Sequence, residues 1–234
     1  MRIRSFIIAY ALVLAILLFA DRRPGTTHQD RYSHVVDLTD GQNATARRAV
    51  SLEAPESRTR IIAPAAIIPG TWAAGQIPPE RLIAPLVVID LKPVALKMAA
   101  DSSPQISLDD IAAWESRHGI IPQGAIVAIR RAGTSDIRAT SDTSATLAVP
   151  FPIARDAALF LIEARDTIGF ALETSVNLSS DRTLATQLAL HGNYIVEGTA
   201  DFSSLPATGS LIIVAPAKNK KPGEAPVRIL AMVR

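Results

Sequence analysis

Short runs of β-branched residues, each bounded by Pro, Gly or Asp, most constrain the fold of this chain. Four of them are HVVDL, LVVIDL, AIVAI and LIIVA, which begin at His34, Leu86, Ala125 and Leu211, and APVRILAMV is a fifth. Runs of this length and composition are typical of buried strands, whereas helices need longer segments with a 3.6-residue period. The sequence therefore predicts a sheet built mainly from buried strands.

Two helices are predicted between these strands. Ser107 and Asp110 have the spacing of a capping box at the start of one helix, and Gly119 supplies its C-terminal stop. The second helix is predicted over residues 152–165, with Pro152 near its first turn and apolar residues on one face. We therefore expect one α/β domain, residues 34–234, in which helices cover a mixed β-sheet.

The N-terminal segment is distinct from this domain. Residues 5–20 are uncharged and flanked by arginines, and as a helix they would span about 24 Å, less than the hydrocarbon core of a bilayer. Ala20 suits the position before a signal-peptide cut, but Leu18 is bulky where a small residue is preferred. Residues 1–23 are thus either a cleaved signal peptide or an N-terminal membrane anchor, and residues 24–33 read as a linker.

Either reading predicts an exported protein. It would be periplasmic or secreted if residues 1–23 are cleaved, and held at the inner membrane by the apolar helix of residues 5–20 if they are not. In both cases we expect the domain to fold without residues 1–23.

Charge and cysteine usage exclude several functions. Lys and Arg number 24 against 22 Asp and Glu, which gives a net charge of +2 with no basic block, so no nucleic-acid partner is expected. The chain has no cysteine, which excludes disulfides, thiolate nucleophiles and cysteine zinc sites.

Five segments, in order, resemble the cyclase family, which includes the bacterial kynurenine formamidases. They are VVDLTDG from Val35, IPPERLIAPLVVIDL from Ile77, ISLDDIAAWESRHGIIPQGAIVAIR from Ile106, IVEGTADFSSLPATGSLIIVAPAK from Ile195, and APVRILAMV from Ala225. The resemblance implies the family's compact α/β domain and a possible homo-oligomer. It also implies a divalent metal site, such as zinc, that hydrolyses an amide, as in the deformylation of N-formylkynurenine.

The family signature H-x-G-T-H-x-D-A-P-x-H falls on residues 56–66, where Thr59, Ala63 and Pro64 match it. The positions of the metal-site residues hold other types: Glu56, Arg58, Arg60, Ile62 and Ala66 in the signature, and Ala185 at a later histidine. Only the family's glutamate is retained, as Glu197. The resemblance therefore implies that the metal site has been lost and that no metal or other cofactor is expected.

Glu197 occupies the family's catalytic position and would have lost its counter-charge together with the metal. We expect Arg60, or failing that Arg58, to lie within about 4 Å of its carboxylate as a salt bridge. The pair could fill the vacated site, an arginine could bind the carboxylate or carbonyl of a small ligand, or both arginines could face solvent. The candidates for ligand binding are Glu56, Arg58, Thr59, Arg60 and His191.

Two functions follow from the resemblance. The first is a non-catalytic, exported relative of metal-dependent amide hydrolases, a pseudoenzyme that binds a small molecule or a partner protein. The alternative is a divergent arylformamidase-like hydrolase of a small amide, of the kind used in tryptophan and kynurenine catabolism. Metal content distinguishes the two, because hydrolysis in this family depends on the metal.

Overall fold

The computed structural model describes residues 32–39, 59–91, 104–131, 149–218 and 223–234. The chain divides into two compact units, Met1–Ser33 and His34–Arg234, and the second unit contains all of the strands and helices given below. The apolar segment of residues 5–20 and the site candidates Glu56 and Arg58 lie outside the described residues. Within the described ranges, no helix combines the length and the apolar character that crossing a membrane requires.

The described residues form ten strands and three α-helices. The strands are β1 His34–Asp37, β2 Arg60–Ile62, β3 Ile83–Leu91, β4 Ile126–Arg131, β5 Val149–Pro150, β6 Gly169–Leu172, β7 Val176–Asn177, β8 Tyr194–Glu197, β9 Ser210–Pro216 and β10 Glu224–Val233. The helices are α1 Leu108–His118, α2 Arg155–Arg165 and α3 Arg182–Leu190. All five predicted strands are present, and so are both predicted helices.

The predicted capping box of α1 is present, since the Ser107 hydroxyl accepts a hydrogen bond from the Asp110 amide and the Asp110 carboxylate accepts one from the Ser107 amide. Helix α2 begins at Arg155, three residues later than Pro152. The reason is that residues 152–154 are extended: the carbonyl of Pro152 accepts from the Ile106 amide, and the Ala154 amide donates to the Ile106 carbonyl.

The main sheet closes on itself into a barrel-like ring. Strands β3, β4, β6 and β8 are parallel neighbours, and β2 then pairs antiparallel with β8. Strand β10 pairs antiparallel with both β2 and β9, and β9 pairs antiparallel with β3, which completes the circuit. Strand β1 pairs with the second half of β10. Three of the pairings in this sheet are thus parallel and five are antiparallel.

Alternation along the strands separates two apolar cores. In β3, Leu86 and Val88 belong to the core inside the ring, while Val87 and Ile89 belong to the core between the sheet and the helices. Trp114 of α1 lies in the outer core, and its indole Nε1 donates a hydrogen bond to the Val88 carbonyl at 2.9 Å. Three helices therefore pack on the outer face of the sheet and fix its parallel strands.

The turn between α3 and β8 depends on Gly192. Its φ is +68°, and a Cβ at this position would lie 2.8 Å from Cζ3 of Trp72, closer than non-bonded carbon atoms approach each other. The Arg81 guanidinium lies 5.5 Å from the centre of the Trp72 ring and donates a hydrogen bond to the Gly192 carbonyl at 3.2 Å. Gly192 thus suits the backbone angle, and a side chain at this position would require the Trp72 ring, which is 38% exposed, to move.

We predict that Gly192→Ala lowers the free energy of unfolding by about 2–4 kcal/mol, because it combines backbone strain with a steric clash. Gly124→Ala is the matched control: its φ is +70°, but nothing lies within 4 Å of its Cβ position. That control should cost only about 1–2 kcal/mol. Urea denaturation measures both values. If Gly192→Ala and Gly124→Ala cost the same, a clash with the Trp72 ring would be contradicted. The same would follow if adding Trp72→Ala to Gly192→Ala restored no stability.

Candidate functional site

The register of β2 against β8 places Arg60 directly opposite Glu197. Residues directly opposite each other in an antiparallel pair project their side chains from the same face of the sheet. The Arg60 Nη2 atom lies 3.2 Å from Oε1 of Glu197, and the geometry is that of a hydrogen-bonded ion pair. The predicted contact between these two residues is therefore present.

The Glu197 carboxylate is buried and has a partner for each oxygen. Its side chain is only 4% exposed, and its second oxygen, Oε2, accepts a hydrogen bond from the Val176 amide at 3.0 Å. A buried carboxylate without partners would be very costly, so both contacts stabilise the folded chain. Glu197 thereby connects β8 to two other strands, β2 and β7.

Arg60 is shared between two carboxylates. Its Nη1 atom lies 3.3 Å from Oε2 of Glu224, which belongs to β10, on the opposite side of β2 from Glu197. The Arg60 side chain is 47% exposed, so solvent reaches the guanidinium although it does not reach Glu197. The pair is therefore less sheltered than a fully buried ion pair, and its contribution to stability is correspondingly smaller.

The residues that match the family signature adjoin this pair. Thr59 is fully buried, and its hydroxyl donates to the carbonyl of Gly198, the residue after Glu197, at 2.8 Å. Pro64 is buried and begins a short 3-10 helix, Pro64–Ala66. These positions come together through strand pairing, and neither Thr59 nor Pro64 lines either of the two cavities described below.

A second group of charges lies at the carboxyl ends of β3, β4 and β6. Arg130 forms two hydrogen bonds with Asp90, its register partner, and its Nη1 donates to the Leu205 carbonyl at 3.1 Å. The Asp90 carboxylate raises the pKa of Arg130 above its ordinary value. Glu173 accepts a hydrogen bond from the Phe202 amide at 3.0 Å. Together these groups hold the segment before β9 in place.

The two cavities differ greatly in size. The larger, about 560 Å³, lies where the N-terminal ends of α2 and α3 approach Phe151, and Arg155 and Asp181 form a two-point ion pair in its wall. Arg155 lowers the pKa of Asp181 by donating to its carboxylate. The smaller, about 50 Å³, lies at the carboxyl ends of β3, β4 and β6. The larger volume is in the range of small-molecule sites.

Residues 22–176 match the family model described as "Putative cyclase". The chain belongs to the cyclase family. It is 30% identical over 166 residues to isatin hydrolase from Roseibium aggregatum, an alignment that covers 66% of this chain and 61% of that protein. The chain thus aligns with less than two thirds of this curated relative's length.

Solved structures of family members have the same fold. Isatin hydrolase A from Labrenzia aggregata bound to benzyl benzoate gives a TM-score of 0.61 at 25% identity, over 86% of this chain and 93% of that one. Isatin hydrolase A from Ralstonia solanacearum gives 0.66 at 24% identity, over 86% and 92%. A structure described as a potential metal-dependent hydrolase with cyclase activity gives 0.58 at 22% identity, over 86% and 98%.

The described positions of the cyclase-family signature do not fit a metal ion. Arg60 carries a permanent cation, Ile62 is buried and apolar, and Ala66 and Ala185 have no donor atom. Within the part of the chain that the structure describes, no three His, Asp or Glu side chains are close enough together to hold a metal. The one retained acid, Glu197, already has both of its oxygens engaged.

The three histidines in the described ranges do not compensate for this. His191 is exposed, and its Nδ1 lies 2.9 Å from the Gln187 carbonyl in the last turn of α3. His191 precedes β8, whereas Glu197 ends it, so the strand separates the two residues. His34 and His118 are also exposed, at the start of β1 and the end of α1. The structure therefore brings Arg60 and Thr59 to Glu197, but not His191.

We predict that Arg60→Ala lowers the free energy of unfolding by about 1–2 kcal/mol, because it leaves the buried Glu197 carboxylate with one partner. In a Glu197→Gln background, the same substitution should cost less than about 0.5 kcal/mol, since no buried charge remains. Arg228→Ala is the control, because its partner Asp37 is 46% exposed, and it should cost less than about 0.5 kcal/mol.

Denaturant unfolding of the natural chain, the two single variants Arg60→Ala and Glu197→Gln, and their double variant gives the coupling energy of the pair. Equal costs of Arg60→Ala in the two backgrounds would mean that the guanidinium does not neutralise Glu197. A cost of Arg60→Ala in the natural chain that is no larger than the cost of Arg228→Ala would lead to the same conclusion.

Proposed function

We propose that this protein is a non-catalytic member of the cyclase family, which acts by binding and does not carry out metal-assisted hydrolysis. The observation that carries the proposal is the ion pair of Arg60 with Glu197, at the position where the family signature has a histidine. A second contact, from Arg60 to Glu224, adds to the same network.

A guanidinium at this position opposes a metal ion by its charge. Arginine stays protonated at all physiological pH values, so it cannot become a metal ligand as a neutral histidine does. A divalent cation that approached Glu197 would have to displace a cation 3.2 Å from the same carboxylate. A hydrolytic metal also needs three or more protein ligands with one position left open for water. The side chains at residues 60, 62 and 66 supply none of those ligands.

Binding is the function that the retained features support. The fold matches that of the neighbouring structures, and the positions that the resemblance aligns with the family's metal ligands hold other residue types. The cavity of about 560 Å³ at the start of α2 and α3 has the volume of a small-molecule site, and Glu197 is not among the residues that line it. A binding role can persist in such a fold after catalysis is lost, because it does not depend on the metal ligands.

Export is the second part of the proposal and rests on residues 1–23 alone. Their uncharged run between arginines supports a place outside the cytoplasm, either free or held at the membrane. N-terminal sequencing of the protein from fractionated cells tests this. A mature chain that begins at Met1 and stays in the cytoplasmic fraction would contradict export.

We predict that the purified full chain, exposed to zinc and manganese and then freed of unbound metal, retains less than about 0.1 metal ion per chain. It should not hydrolyse isatin or N-formylkynurenine above the uncatalysed rate. Elemental analysis and absorbance assays measure the two quantities on the same sample. An intact isatin hydrolase, prepared identically, serves as the positive control.

Stoichiometric metal together with hydrolysis that is lost in Glu197→Gln would contradict the proposal. It would favour the alternative function, a divergent hydrolase of a small amide. If the protein binds metal but does not hydrolyse either substrate, the proposal that Arg60 opposes a metal ion is wrong. The proposed binding function would not be contradicted by that result.

A further inference from the structure

Apolar side chains form the floor of the larger cavity, the one of about 560 Å³. Phe151 and Ile153 precede α2, Leu159 lies in the second turn of α2, and Leu184 lies in the first turn of α3. Phe151, Ile153 and Leu184 belong to the core between the sheet and the helices, whereas Leu159 is only partly buried. A ligand in this cavity would therefore rest on side chains that the core already holds in place.

Three charged side chains line the wall of the same cavity, those of Arg155, Asp156 and Asp181. Arg155 donates from Nε and Nη2 to the two carboxylate oxygens of Asp181, at 2.8 Å each, so these two charges neutralise each other. Asp156 accepts a hydrogen bond from the Ala157 amide at 2.8 Å through one oxygen. With one arginine and two aspartates, the wall has a formal charge of −1.

This distribution of charge disfavours ligands of either sign. An anion would be repelled by the negative wall, and above all by Asp156, whose charge no arginine neutralises. A cation would lie close to Arg155 and to the first turns of α2 and α3, where the helix dipoles carry partial positive charge. Either ion would also lose hydration against the apolar floor. An uncharged molecule meets none of these costs.

Arg155 can also orient such a molecule. Its side chain is 54% exposed, and its ion pair with Asp181 uses Nε and Nη2. The third nitrogen, Nη1, donates to none of the described residues. It can therefore donate a hydrogen bond to an oxygen of a ligand while the ion pair stays intact.

We propose that this cavity binds an uncharged small molecule with an apolar ring system and an oxygen that accepts a hydrogen bond from Arg155. The observation behind the proposal is a cavity of small-molecule size with an apolar floor and a wall whose one cation is already paired. The inference rests on the proposed binding function and names the class of ligand for it. Neither Arg60 nor Glu197 lines the cavity, so the site is separate from the vacated metal site.

The first test is titration of the full chain with prodan, an uncharged naphthalene ketone whose fluorescence moves to shorter wavelength in an apolar site. Bound prodan is then displaced at neutral pH by three naphthalenes of similar size: acetonaphthone, which is uncharged, naphthoate, which is an anion, and naphthylmethylammonium, which is a cation. Acetonaphthone should displace prodan at a concentration at least about tenfold lower than either ion, because only the ions lose hydration and meet like charge.

Two variants place this binding in the cavity. Leu159→Arg should raise the dissociation constant of prodan at least about tenfold, because it puts a cation on the apolar floor. Leu190→Arg is the matched control, since Leu190 is 62% exposed on α3 and does not line the cavity. It should change the constant less than about twofold.

A second measurement does not depend on the stability of the Leu159→Arg variant. Asp156→Asn removes the negative charge of the wall and keeps an oxygen for the Ala157 amide. Naphthoate should then displace prodan at a concentration at least about threefold lower than in the natural chain, since the repulsion is gone. The displacing concentration of acetonaphthone should change less than about twofold, because it carries no charge.

The proposal would be overturned if prodan showed no saturable binding, or if the three naphthalenes displaced it equally well. It would also be overturned if Leu159→Arg had no more effect than Leu190→Arg, or if Asp156→Asn left naphthoate unchanged. None of these results bears on metal content or on hydrolysis, which test the proposed function separately. Conversely, a chain that bound metal and hydrolysed isatin but still bound prodan in this way would contradict the non-catalytic function alone.

Discussion

A carboxylate that folding removes from water must be given a counter-charge or a proton, and this constraint organises the site of this protein. Glu197 ends a buried parallel strand, and its side chain is 4% exposed. The antiparallel strand beside it presents Arg60 in direct register, and the amide of Val176 takes the second oxygen. A cation fixed in the chain thus supplies the charge that a bound metal would supply in a metal-dependent hydrolase.

Much of the fold could be predicted from the sequence, since its signals are local. The β-branched runs at β3, β4 and β9 and the capping box of α1 depend on residues that are neighbours in the chain. The resemblance to the cyclase family added the order of these elements. The closure of the sheet could not be predicted in this way. It rests on β2, a strand of three residues, Arg60–Ile62, whose pairing partners are more than a hundred residues away along the chain.

The same distinction holds at the site. The pairing of Arg60 with Glu197 could be predicted, because the resemblance aligned Arg60 with a histidine of the family signature and a buried acid needs a cation. The second contact of Arg60, with Glu224, could not be predicted, since nothing in the sequence places β10 beside β2. His191 was a candidate only through its distance in sequence from Glu197, and the strand between them separates the two residues. Asp90 and Arg130 lie in two of the segments that resemble the cyclase family, but only the parallel register of β3 and β4 brings them together.

The central claim is that a guanidinium occupies the place of the metal beside Glu197. The most direct measurement is a crystal structure of the protein soaked in manganese, with data collected where manganese scatters anomalously. We expect the Arg60 guanidinium to contact the Glu197 carboxylate, at about the 3.2 Å of this structure, and no anomalous peak beside that carboxylate. A manganese peak at about 2.0–2.3 Å from a Glu197 oxygen, with Arg60 turned away, would contradict it.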